Sequence, residues 1–407
     1  MRSRGMYGLL ALLLYVGCLA AIEVEAVVNK IDVEKRALQV TARGKERTVQ
    51  VDKDAKFLDE KGKPLPDGLE SKEIKPGIKV TLTVERGGNG PVVKALQLGG
   101  TAASGVPDKS GKTSVGFKPL TEMTADDRYK GEDGGLFGGG KNEPPAAHRQ
   151  AADKEAARIV PLDENGKPAK EGKMALISIS MSNATQEFSY FKRIADRDEG
   201  KAPRLTIVDC AQGGQAMAEW TDPAARPWEE AERRLKAAGI SPNQVQIAWI
   251  KLANKQPRGE LKEHGKKLQD DTLKVIQNAK AKFPNLRLAY LDSRTYGGYA
   301  VGNLNPEPYA YEGAYPVRWL IQNQIKGVPE LNYDPSKGAV KAPLLLWGAY
   351  FWGDGTTPRK SDGLVWERDD FAKDGVHPTE SGRRKVAEML LKFFKSDPTA
   401  KAWFGKK

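Results

Sequence analysis

Across residues 27–99 apolar and polar side chains alternate in short runs, among them Ile31-Asp32-Val33, Leu38-Gln39-Val40, Val49-Gln50-Val51 and Val80-Thr81-Leu82-Thr83-Val84. A repeat of two places successive side chains on opposite faces of a strand, so the pattern predicts short half-buried strands. Turn residues such as Gly62, Asp67-Gly68 and Gly87-Gly88-Asn89-Gly90 separate them. A small antiparallel β unit that closes into a barrel is expected over residues 27–100. After residue 172 the pattern changes to apolar runs of buried-strand length at 174–179, 205–208, 245–252, 286–291 and 344–347. Helical stretches, for example 228–238 and 261–283, lie between those runs. Strands alternating with helices predict a five-stranded parallel sheet covered on both faces, a three-layer α/β/α domain over residues 172–407.

Between the two, residues 101–171 turn to Gly, Pro, Ser and charge, with Gly134-Gly135, Gly138-Gly139-Gly140 and Pro144-Pro145 as breakers. The default reading is a linker. The alternative for 129–145 is a tight surface loop folded over the following domain. At the other end, Arg2 and Arg4 precede an apolar stretch over residues 6–21 and small residues around Val24-Glu25-Ala26. That order reads as a secretory leader over residues 1–26 and implies an exported, periplasmic or extracellular chain. The stretch is shorter than the roughly 20 apolar residues of a spanning helix, so no transmembrane segment is expected in the mature chain. Gly17-Cys18 offers the weaker alternative of a lipoprotein anchor at Cys18. Removal of the leader leaves Cys210 as the single cysteine, which excludes an intramolecular disulfide.

Composition adds little to this division. The chain has 407 residues and a formal charge of +12, but its basic residues are dispersed among acidic ones. A solvated surface accounts for them, and with Phe57 the lone aromatic of residues 27–99, stacking on nucleic acid is not expected. Neither clustered His and Cys ligands nor a dinucleotide fingerprint is present, so no metal or organic cofactor is expected.

In a parallel sheet, ligands sit beyond the carboxyl ends of the strands. The first apolar run of the α/β region ends in Ser180-Met181-Ser182-Asn183, where a helix can open. A serine at such a turn has its hydroxyl lifted to the sheet edge and its own N–H directed at any anion formed there. Near the other end, Asp374-Gly375-Val376-His377-Pro378 precedes an amphipathic helix. An imidazole can take the proton of a serine hydroxyl, and a carboxylate three residues earlier can fix its tautomer. The chain has three histidines, of which His148 lies in the Gly/Pro-rich region and His264 opens a charged helix. His377 is therefore the candidate base, Ser182 the nucleophile and Asp374 the orienting acid.

A strand-end serine early in the domain and a D-x-x-H-P near its end resemble the SGNH/GDSL hydrolases, over residues 172–396. The resemblance implies a flavodoxin-like three-layer fold and ester hydrolysis through an acyl-serine. It also implies an oxyanion hole formed by the Ser182 amide, a glycine after the second strand and an asparagine after the third. Within Asp209-Cys210-Ala211-Gln212-Gly213-Gly214-Gln215 the spacing favours Gly214, with Gly213 as the alternative, and Asn254 is the asparagine. Ser180-Met181 stands where the family has Gly-Asp, and the third block lacks its usual glycine and Asn-Asp pair, so the resemblance is to a divergent member. Arg294 and Tyr296, after the fourth strand, are candidates for holding a polar or sugar substrate, with packing of the loop as the alternative. The phrase Ile74-Lys75-Pro76-Gly77 before an alternating strand is similar to the small OB-like barrels of bacterial exported proteins.

These readings imply an exported carboxylesterase or deacylase acting on a small-molecule or polysaccharide ester such as an acylated carbohydrate. Two rivals use the same residues differently. One is a cell-surface glycan-binding protein with a degenerate hydrolase domain, and the other is an acyltransferase using the same serine.

Overall fold

The structure is a computed structural model, described here over residues 22–42, 45–59, 63–87, 90–98 and 114–406. The chain divides into two compact units, residues 1–106 and 107–407. The first is a closed barrel of β1 (Ile22–Asp32), β2 (Ala37–Ala42), β3 (Lys45–Leu58), β4 (Lys79–Gly87) and β5 (Gly90–Leu98), in the order β1-β2-β3-β5-β4. Alternate residues point inward, and Val28, Leu38, Val40, Val80, Leu82, Val93 and Leu96 form a core with almost no exposure.

Two details differ from the sequence expectation. All pairs are antiparallel except β3 with β5, which is parallel and shifts register between Val51 and Lys56. Alternation is the same in either orientation, and a bulge of this kind bends a strand so that a small barrel can close. The barrel also begins earlier than residue 27, because Ile22 to Ala26 pair with β4 from Val84 to Val80. Residues 1–21 of the leader expected over 1–26, with the lipidation candidate Cys18, lie outside the described residues. Among the described residues, no helix is long and apolar enough to cross a membrane.

The second unit is built on a parallel sheet of β6 (Met174–Ser180), β7 (Leu205–Val208), β8 (Val245–Lys251), β9 (Leu288–Leu291) and β10 (Leu344–Trp347). The strand order is β10-β9-β8-β6-β7, so the chain leaves β6 to one side and continues from β8 to the other. The helices are α1 (Ala146–Ala157), α2 (Ser182–Ala195), α3 (Met217–Trp220), α4 (Arg226–Ala237), α5 (Leu261–Lys282), α6 (Tyr309–Glu312), α7 (Ala314–Ile325), α8 (Glu380–Ser396) and α9 (Pro398–Phe404). They fall into two sets: α2, α8, α9 and α1 pack in series, and α4, α3, α5 and α7 pack in series. Right-handed crossovers running in opposite directions put their helices on opposite faces, which yields the three layers. The reversal of direction between β6 and β8 opens a crevice at their carboxyl ends, where ligands bind in folds of this topology.

The Gly/Pro-rich region is not a spacer from residue 114 onward. Leu120, Met123 and Leu136 are buried in the core of the α/β unit, and the Trp347 indole donates to the Leu136 carbonyl at 2.7 Å. Residues 146–157 form α1, from which the His148 Nε2 reaches the Leu345 carbonyl at 2.8 Å.

Candidate active site

Ser182 is the first residue of α2, and the extended Met181 before it lifts the hydroxyl to the sheet edge. The turn is fixed from below by a polar cluster. Ser178 in β6 donates to the Asp209 carboxylate at 2.6 Å and accepts the Cys210 and Ala211 amides. Thr185 and Ser189 of α2 donate to the other oxygen of Asp209 at 2.6 Å each. These bonds tie the start of α2 to the turn after β7. Burial pushes the Asp209 carboxyl up, against the pull of the three hydroxyls and the Ala211 amide.

His377 is carried on the loop before α8. The Gly375 φ of +68° suits glycine, and a Cβ there would stand 1.7 Å from the Tyr299 carbonyl oxygen. The loop therefore lies against the segment after β9, and the Val301 amide donates to the Asp374 carbonyl at 3.0 Å. The Asp374 Oδ1 accepts the Val376 and His377 amides at 3.0 Å each. Its Oδ2 lies 2.6 Å from His377 Nδ1, and the His377 Nε2 lies 2.8 Å from the Ser182 Oγ. Partial burial raises the Asp374 carboxyl, but the bonds from the His377 ring and the two amides outweigh it and hold the group below the usual carboxylate range. An ionised Asp374 requires a proton on Nδ1, which leaves the Nε2 lone pair facing the serine hydroxyl.

Around this contact lies a cleft, open to solvent, whose walls include Ser182, Gly214, Asn254, Arg294, Asn305 and His377. Gly214 has a φ of +78°, open space where a Cβ would project and a place in the cleft wall, while Gly213 is not part of that wall. The Gly214 carbonyl accepts the Lys255 ammonium at 2.8 Å, and Lys255 is itself paired with Glu219. The Asn254 carbonyl accepts the Asn305 carboxamide at 3.2 Å.

The other candidates separate cleanly. Arg294 reaches the cleft, whereas the Tyr296 ring turns inward beside Tyr299 and Trp352 and does not line it. Of the two readings of Tyr296, substrate holding and loop packing, its place beside Tyr299 and Trp352 matches the second: an aromatic ring in a loop after a strand finds more apolar area in the core than at the edge. His148 and His264 are both engaged elsewhere, His264 with Glu312. Sequence reasoning missed Lys255, Leu304 and Asn305, which come from irregular segments without a periodic signal.

Behind the cleft lies a layer of buried charge. Lys251, the last residue of β8, is fully buried and pairs with Glu187 of α2 beside the Phe351 ring. Desolvation lowers the Lys251 ammonium pKa despite the Glu187 charge. Asp292, after β9, accepts the Trp249 indole at 2.7 Å and the Tyr350 amide at 2.8 Å, and burial pushes its carboxyl up to about 7. The Glu307 carboxyl is enclosed by the Trp352 indole and the Gly297 and Tyr311 amides, and burial likewise pushes it up to about 7.

No protein-family model and no curated protein matches the chain. Among solved structures it is similar to silver-bound CusF from Escherichia coli at 17% identity, over 20% of this chain and 94% of that one, with a TM-score of 0.16. It is also similar to the periplasmic domain of a lipopolysaccharide acetyltransferase from Salmonella ser. Paratyphi A, at 14% identity over 61% and 95% of the two chains, with a TM-score of 0.30. A protein from Arabidopsis thaliana matches at 12% identity over 51% and 67%, also with a TM-score of 0.30. Likeness at this level carries no functional argument, and the chemistry rests on the residues themselves.

Proposed function

We propose that the chain is an exported serine ester hydrolase that works through an acyl-serine on Ser182. The observation that carries this reading is the contact of Ser182 with His377 at 2.8 Å and of His377 with Asp374 at 2.6 Å, in a cleft at the carboxyl edge of the sheet. Serine is a poor nucleophile until a base removes its proton, and this arrangement supplies the base in the required tautomer. The Ser182 oxygen attacks the ester carbonyl while its proton passes to His377 Nε2. The oxyanion so formed is stabilised by the Ser182 and Gly214 amides and the Asn254 carboxamide. One such donor contributes roughly 3 kcal/mol to lowering the barrier. Collapse releases the alcohol with the proton from His377, and a water activated by the same imidazole then frees the acid and restores the serine.

The order of the serine, glycine, asparagine and Asp/His elements fits the SGNH/GDSL resemblance, and an acylated carbohydrate fits an exported enzyme. The silver ligand of CusF does not carry over. Residues 27–98 contain no Cys, Met, His or Trp, and soft cations bind to thiolate and thioether donors.

Labelling with a fluorophosphonate probe tests the reading. The full chain is expected to label, and the label to map to Ser182 and to vanish in Ser182→Ala. An unlabelled but folded wild-type chain would remove the hydrolase reading. Product analysis with an added sugar acceptor separates hydrolysis from acyl transfer.

A further inference from the structure

Arginine is rarely buried without a partner, because its guanidinium carries a permanent charge and five donors. Two other buried arginines of the α/β unit follow the rule. Arg318 spends its fork on Glu132, Asp133 and the Asp133 carbonyl, and Arg359 on Asp362 and the Tyr350 and Trp352 carbonyls. Arg294 does not. It is 5% exposed, and among the described residues its guanidinium forms no hydrogen bond or ion pair with protein, whereas Arg318 leaves its Nε alone without an acceptor.

The carboxylates that act on Arg294 electrostatically are Glu187, Glu307 and Asp374. Each is committed elsewhere: Glu187 to Lys251, Glu307 to one indole and two amides, Asp374 to His377. The other cation of the cleft wall, Lys255, is engaged by Glu219 and the Gly214 carbonyl. Arg294 thus brings an unused positive fork to the wall that also holds Ser182 and His377.

A second unpartnered atom lies in the same wall. Asn305 is 6% exposed, and its Oδ1 is a buried acceptor without a donor. Its orientation is set by the amide nitrogen, which donates to the Asn254 carbonyl. A cleft that offers a free cationic fork and a free neutral acceptor is matched by an anionic oxygen group next to a hydroxyl.

We infer that the substrate is an ester of an acidic sugar, whose carboxylate or sulfate group is held by Arg294 and whose neighbouring hydroxyl donates to Asn305. This rests on the assignment of Ser182 as nucleophile and narrows the substrate to hydroxylated anions. A guanidinium fork matches planar carboxylate geometry in a way that an ammonium does not.

The test is calorimetric titration of the full chain at fixed ionic strength with glucuronate, glucose 6-sulfate and glucose. At least one anionic sugar is expected to bind tenfold or more tightly than glucose, and which one does identifies the anion. Arg294→Met should reduce that preference to less than twofold, and Arg294→Lys should retain part of it. A wild-type chain that binds glucose as well as both anions overturns the inference, as does a folded Arg294→Met that keeps the preference. Where Arg294→Met does not fold, protection of wild-type Ser182 from fluorophosphonate decides. Protection by an anionic sugar over glucose supports the inference, and equal protection overturns it. A chain that never labels but prefers the anionic sugar separates failure of the hydrolase reading from failure of this one.

Discussion

The barrel and the carboxyl edge of the α/β sheet bury different kinds of side chain. In the barrel the buried positions are aliphatic apart from Phe57, Ser71 and Thr81, and an ion pair such as Lys94 with Asp52 stays at the surface. Beneath the sheet edge lie Glu187, Lys251, Asp292 and Arg294, all nearly or fully buried. Folding alone calls for the first pattern, since each ion removed from water costs several kcal/mol unless it is well paired. Charge concentrated at the ends of β6, β8 and β9, around one serine and one histidine, marks where the sequence departs from what stability asks. The buried charge thus falls in the unit that carries the proposed site, whose interior is not purely apolar.

The largest expected effect breaks the comparison at the site itself. Ser182→Ala should lower turnover of a small ester such as p-nitrophenyl acetate by roughly 10⁴-fold or more, by analogy with nucleophile removal in serine hydrolases. The melting temperature should change little, because Ser182 is a partly exposed residue. Equal turnover in the variant would place the chemistry elsewhere. Next in size is a stability contrast. Lys251→Met strands the buried Glu187 carboxylate and is expected to cost about 3–5 kcal/mol of α/β stability. Leu38→Ala in the barrel should cost about 2–5 kcal/mol through a cavity while leaving small-ester turnover within twofold of wild type. Denaturant unfolding with parallel rate measurements checks both, and a Leu38→Ala chain that folds but loses turnover would contradict the division of labour. Smaller again is Asn254→Ala, which removes one of the proposed oxyanion donors and should reduce kcat roughly 10²–10³-fold with KM little changed. A change confined to KM would move Asn254 from the reacting oxygen to substrate binding.

The same contrast explains what could be read from the chain alone. The five sheet strands were legible because buried parallel strands appear as uninterrupted apolar runs, and Leu344 to Trp347 is fully buried as such a run requires. Ser182, Asp374 and His377 were legible because a strand end, a preceding carboxylate and a shortage of histidines narrowed the choice, and the fold brings all three together. The parallel β3 and β5 pair was not, since alternation carries no direction. Residues 114–145 read as a linker by default, with folding over the following domain as the alternative for 129–145, because they are held by backbone and indole bonds, such as Trp347 to the Leu136 carbonyl, that leave no periodic trace. Tyr296 was placed at the edge by its position after β9, yet its ring packs with Tyr299 and Trp352. Local sequence sets where a loop begins, and long-range packing decides which of its side chains face the cleft.

A further expected effect is a pH dependence of stability that belongs to the α/β unit. Burial raises Asp292 and Glu307 to about 7, while an unfolded chain titrates such carboxyls near 4. Between about pH 4 and pH 7 the folded state therefore holds more protons than the unfolded one, and stability falls as pH rises through that window. Asp374 works in the opposite sense. Its lowered value contributes stability that is present above the usual carboxylate range and is lost as acid protonates it. Barrel Asp52, held low by Lys94, belongs with Asp374 in sign and adds nothing to the slope above pH 5. The α/β melting temperature should accordingly decline from pH 5 to pH 8. Glu307→Gln, which imitates the protonated acid, should flatten part of that decline in a calorimetric scan across the range. An α/β transition that rises between pH 5 and pH 8, or a slope unchanged in Glu307→Gln, would show that these carboxyls are ionised and paired at neutral pH.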